Sequence, residues 1–131
     1  MKNLLFLFTF YLIAQLAPAQ TDCQKFKTGK FKNIEKGKDS GDYIERNDSI
    51  QTEKHGEGII KLKVTWIDDC SYRLTFLEAN EAWWNNSLYL LDNPMPDLLV
   101  KITFVGKNAY EQESHFEGKE AVYKSTLLLI E

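Results

Sequence analysis

Ile60-Lys61-Leu62-Lys63-Val64-Thr65-Trp66 is apolar at every even position and polar at every odd one. A period of two belongs to a strand with one face buried and one in water, because successive side chains of extended backbone point to opposite sides. Asp68 and Asp69 then turn the chain. Tyr72, Leu74 and Phe76 carry the apolar face of a second strand, opposite Ser71, Arg73 and Thr75. For Trp66 and Tyr72 to share a face, the loop between the strands must hold an odd number of residues. Asp68-Asp69-Cys70 supplies such a loop, whereas a two-residue turn would set Trp66 against Ser71.

The same reading extends in both directions. Thr28 to Ile34 is a candidate first strand in which Gly29 marks a close approach or a bulge. Tyr43 to Arg46 and Ile50 to Lys54 flank Asn47-Asp48, a good hairpin turn, and His55-Gly56-Glu57-Gly58 is the turn that follows. Downstream, Leu98, Val100, Ile102 and Phe104 alternate with Leu99, Lys101, Thr103 and Val105. Gly106-Lys107-Asn108 leads into Tyr110 to Phe116, and Gly118-Lys119-Glu120 into Ala121 to Ile130. Leu127 to Ile130 are apolar on both faces, so this strand end is expected to be covered on both sides. Seven or eight short strands joined by tight turns predict an all-β antiparallel meander. Its exposed edges are best removed by forming a small closed or half-open barrel.

One segment breaks the pattern. Glu81 to Asp97 lacks alternation, holds two prolines and concentrates Trp83, Trp84, Tyr89, Leu90 and Leu91. At about seventeen residues it is long for a connection in a compact domain. It is read as a flap or short helix over one barrel mouth, presenting Trp83, Trp84 and Tyr89, with Trp66, as ligand-binding aromatics. The plainer alternative is that these rings only cap the core.

The N-terminus sets the compartment. Lys2 precedes the apolar run Leu4 to Ala14, and Ala17-Pro18-Ala19 has the small-x-small form cut by signal peptidases. Residues 1–19 are therefore expected to be a signal peptide and 20–131 a single β-barrel-like domain, exported to periplasm, envelope or medium. The apolar run is short for a membrane span, which needs about 20 residues. In an oxidising compartment Cys23 and Cys70, the two cysteines of the 131-residue chain, are expected to pair. A lipid anchor on Cys23 would need small or apolar residues before it, and Gln20-Thr21-Asp22 are neither.

The net charge of −3 argues against nucleic acid as a partner. Lys25, Lys27, Lys30, Lys32, Lys36 and Lys38 do cluster, and either a solvated strand face or an anion site accounts for them. No nucleophile, phosphate-loop or dinucleotide motif is present, so no enzymatic activity and no cofactor are expected. Glu113, His115 and Glu117 share one strand face, with Glu111 extending the row, and could bind a metal or move a proton. A solvated acidic face is the simpler account, and no metal site is expected. Asn47-Asp48-Ser49 and Asn85-Asn86-Ser87 fit the asparagine-glycosylation pattern.

Cys23-x-x-Phe26-Lys27-Thr28-Gly29-Lys30-Phe31, Ile44-x-Arg46-Asn47-Asp48-Ser49-Ile50 and Trp66-Ile67-Asp68-Asp69-Cys70-x-Tyr72 resemble a group of small exported proteins of flavobacteria and their relatives. A topoisomerase label attached to some of that group has no counterpart in a chain this short and acidic. Gly29-Lys30-Phe31 is also similar to the Gly-x-Trp start of lipocalins, with Phe31 in place of tryptophan. That likeness implies a calycin-type barrel and leaves function open. The expected function is binding of a small apolar or amphipathic ligand. The alternative is an envelope-associated protein-interaction module with a filled barrel and an exposed apolar patch.

Overall fold

The structure is a computed structural model that describes residues 22–87 and 94–131. Residues 1–19, expected to be a leader, and Tyr89 lie outside those residues. A 3₁₀ turn, Gln24–Phe26, precedes β1 (Gly29–Glu35), β2 (Lys38–Arg46), β3 (Ile50–His55), β4 (Gly58–Asp68) and β5 (Ser71–Ala79). Helix α1 (Glu81–Asn86), β6 (Leu98–Val105), β7 (Ala109–Phe116) and β8 (Tyr123–Leu129) follow. Each strand pairs antiparallel with its sequence neighbour, and β8 returns to β1, closing an eight-stranded barrel in the order β1-β2-β3-β4-β5-β6-β7-β8. Closure removes the strand edges that would otherwise template association. Among the described residues no helix is long and apolar enough to cross a membrane.

Turn chemistry sets the register. Lys36 and Gly37 both take positive φ (49° and 76°) between the paired Glu35 and Lys38, the geometry that matches strand twist in a two-residue hairpin. Asn47 Oδ1 accepts from the amides of Ser49 and Ile50 and folds the β2–β3 turn. At Gly29 (φ +140°) a Cβ would lie 2.7 Å from Leu129 Cδ1, so the close approach read from the sequence is where the last strand crosses the first.

Three local expectations need correction. The β4–β5 connection is not a three-residue loop. Asp68 pairs with Ser71 across a two-residue turn, and an irregularity between Trp66 and Asp68 restores the Trp66–Tyr72 pair. Ile67 is the extra residue, so its side chain points outward and is 58% exposed. The turn is favoured because Asp68 Oδ1 accepts from the Cys70 amide. Second, the last strand is covered on one face only. Leu127 is buried against the core, whereas Leu128 and Ile130 are exposed, because β8 lies in a single closed sheet with water outside. Third, Phe104 does not share the inward face of Val100 and Ile102: an irregularity between Ile102 and Phe104 reverses the phase, so Phe104 is exposed and Val105 packs against the core.

Candidate functional site

Alternation sends Phe31, Ile44, Ile60, Leu62, Val64, Tyr72, Leu74, Val100, Ile102, Tyr110 and Leu127 into the barrel. They fill it unevenly. One end is closed by the Gln24–Phe26 turn, whose Phe26 is fully buried with its ring 4.9 Å from that of Tyr110. A Cys23–Cys70 disulfide fastens this plug to the β4–β5 turn.

Above the plug lies a polar layer. Arg46, 2% exposed, donates from Nε to Gln51 Oε1 (2.8 Å) and from Nη1 to the Phe26 carbonyl (2.8 Å). Its Nη2 donates to the hydroxyls of Tyr72 and Tyr110, both at 2.9 Å. Tyr72 donates in turn to Gln112 Oε1, and Gln112 Nε2 to Ser125 Oγ. Burial works against the Arg46 charge, but Tyr72, Tyr110 and Glu53 more than offset it and the guanidinium stays ionised. Burial, together with Tyr110, pushes the Tyr72 phenol well above its ordinary range. A buried network of this kind is stable only when its members are bonded, as these are.

Toward the opposite end the side chains stop short and leave a cavity of about 590 Å³. Ile60 and Leu62 of β4, Leu74 and Phe76 of β5, Leu98 of β6 and Phe116 of β7 form its apolar wall. Asp42, Glu53 and His55 line the side built from β2 and β3, and Trp83, Asn86, Ser87, Met95 and Pro96 lie at the mouth. Small-molecule sites are of this size and lining, with a few polar groups among apolar ones. Glu53 joins the two layers, accepting from Gln51 Nε2 at 2.7 Å while facing the cavity. Burial pushes its carboxyl up and Asp42 adds to this, with Gln51 and Arg46 opposing. Asp42 pairs with His55, its cross-strand neighbour.

Helix α1 covers the mouth because Asn80 pins it there. Asn80 Oδ1 accepts from the amides of Trp83 and Ile59, and its Nδ2 donates to the Glu57 carbonyl. Gly58 allows the close contact, since a Cβ there would lie 3.3 Å from Trp83 Cα. Asn80→Ala removes the cap and both tethers, and the loss is expected to be about 1–2 kcal/mol. Amide exchange at Trp83 and Ile59 should accelerate while the β6–β8 amides stay protected. Unchanged exchange at both would show that α1 is held by its rings alone.

The sequence candidates separate. Trp83 and Trp84 pack edge to face at 4.9 Å, and Phe76 lies 6.3 Å and 5.5 Å from them. Trp83 lines the cavity, whereas Trp84 is 37% exposed beside it. Trp66 sits at the plugged end, 4.7 Å from Tyr72 with Lys27 Nζ over its ring. Glu113 pairs with Lys124, and Glu117 with Arg73, on the outside of the barrel. Among the described residues no group of three or more His, Cys, Asp or Glu could hold a metal ion. Three of the clustered lysines have partners: Lys25 donates to the Lys107 carbonyl, Lys30 pairs with Glu131 and Lys32 with Asp39.

Asp42, Arg46, Gln51 and Glu53 do not stand out in the sequence by residue type. The available signal is phase: Asp42 and Arg46 are in step with the apolar Ile44, and so face inward. No family model, curated protein or solved structure matches this chain.

Proposed function

We propose that this chain is an exported, non-enzymatic β-barrel protein that binds a small apolar or amphipathic molecule under α1. The observation carrying this reading is the cavity of about 590 Å³ with one apolar wall and one acidic side. An interaction module would be expected to fill its barrel, and this barrel is filled only at the plugged end. The leader-like N-terminus and the Cys23–Cys70 disulfide support export, since disulfides persist in oxidising compartments. The likeness of Gly29-Lys30-Phe31 to the start of lipocalins fits the same role.

The test is a thermal-shift screen of apolar and amphipathic small molecules, with native mass spectrometry of protein purified from its own host. A binder stabilises the fold by mass action. At least one compound should raise the unfolding midpoint, and Leu62→Trp, which fills the cavity, should abolish the shift. If no compound shifts the midpoint and the protein carries no bound mass, the reading fails.

A further inference from the structure

The cavity is chemically lopsided, and its asymmetry identifies the ligand's polar end. Asp42 and Glu53 face inward from neighbouring strands, whereas β4 to β7 contribute only apolar side chains to the opposite wall. The cations near the acidic side are already committed or face away. Arg46 does not line the cavity, and each of its three nitrogens donates to a partner other than Glu53. Lys54 borders the cavity at its rim, but it is exposed and pairs in register with Tyr43 on the outer face of the barrel. His55 is turned toward Asp42 and carries charge only when protonated. Among the described residues Glu53 accepts one hydrogen bond, from Gln51, and forms no ion pair.

We propose that the cavity takes a ligand with a protonated amine on an apolar body, the ammonium bound between Glu53 and Asp42. This rests on the ligand-binding reading above and specifies its chemistry. An anionic head group would meet two carboxylates with no inward-facing lysine or free arginine to receive it, and a neutral one would leave the Glu53 charge desolvated with only the Gln51 hydrogen bond and the charge of Arg46 in its favour. An ammonium supplies donors to the open acceptor positions of Glu53 and joins His55 and the long Asn33 Nδ2 bond (3.5 Å) at Asp42, while the apolar body lies against the wall that holds Phe76 and Phe116. The raised position of the Glu53 carboxyl fits a group held at a cost that a bound cation relieves.

The experiment compares octylamine, octan-1-ol and octanoate by calorimetric titration at neutral pH, on wild type and Glu53→Gln. The substituted amide keeps an acceptor for Gln51, so the fold should survive, and removing a charge that burial disfavours should raise the unfolding midpoint. Octylamine is expected to bind about tenfold or more tighter than the other two, the scale of a hydrogen bond to a charged group. Glu53→Gln should abolish that preference and leave octan-1-ol unchanged. Asp42→Asn gives the same readout should Glu53→Gln fail to fold. If octan-1-ol or octanoate binds as well as octylamine, or neither variant alters the ratio, the amine assignment is overturned and the binding cavity stands. If none of the three binds wild type and the screen is also silent, both fall together.

Discussion

Arg46→Ala should lower folding stability by about 3–5 kcal/mol, the usual consequence of removing one member of a buried, bonded charge network. The loss is not mainly that of the side chain's own contacts. Truncation leaves Gln51 Oε1, the Phe26 carbonyl and the hydroxyls of Tyr72 and Tyr110 short of a donor in a region water does not reach. It also removes the guanidinium that lies 4.6 Å from the Tyr72 ring centre and 5.1 Å from that of Phe31. Glu53 loses the opposing charge that partly holds it ionised. Against a total stability of about 5–15 kcal/mol for a domain, such a loss leaves little margin. Arg46→Lys should fall between wild type and Arg46→Ala, since one ammonium cannot reach partners spread around a planar fork. Urea unfolding followed by tryptophan fluorescence reads both values. A loss under about 1 kcal/mol for Arg46→Ala would mean that water takes over the network and that the plugged end is not dry.

How much of this is legible in the sequence turns on where the barrel interior is apolar. β4, β5 and β6 announce themselves because Ile60, Leu62, Val64, Leu74, Val100 and Ile102 meet other side chains inside, so alternation holds along these stretches and fails at the irregularities beyond Phe76 and Ile102. The first half of β2, Lys38-Asp39-Ser40-Gly41-Asp42, is invisible for the opposite reason. It runs past the cavity mouth, where no inward position needs an apolar residue. Arg46, Gln51 and Glu53 look like surface residues by type and reveal themselves only by phase with Ile44 and by pairing across β2 and β3. The cavity is legible to no single residue, since it is volume that side chains of six strands, β2 to β7, fail to fill. Helix α1 is too short for a helical period to register. Its sole local sign is Asn80 ahead of Glu81, a capping residue before an acidic first turn. The Ile67 bulge escapes the pattern because loop arithmetic fixes parity alone, and a two-residue turn plus one bulge has the same parity as a three-residue loop.

Replacing both cysteines by serine is the second large effect expected. Cys23 and Cys70 are 47 residues apart, and the segment between them holds β1 to β4, half the barrel. Opening a loop of that size frees the unfolded chain by about 4 kcal/mol in the loop-entropy account. The native fold has its own stake, because Cys23 is fully buried and leads directly into the turn that plugs the barrel. Among the other contacts that hold the same turn are Phe26 against Tyr110 and the Phe26 carbonyl on Arg46. The disulfide and Arg46 should therefore be coupled. Cys23→Ser/Cys70→Ser combined with Arg46→Lys is expected to cost less than the sum of the two, by about 0.5 kcal/mol or more. Once the turn is loose, Arg46 has already lost one of its acceptors. The mouth cavity shares none of these contacts, so binding of a probe there should survive loss of the disulfide at temperatures where the fold persists. Additive losses in urea unfolding would show that the bond acts on the unfolded chain alone. Loss of probe binding at a temperature where the fold remains intact would show that plug and mouth are one cooperative unit, and that the cavity depends on the far end of the barrel.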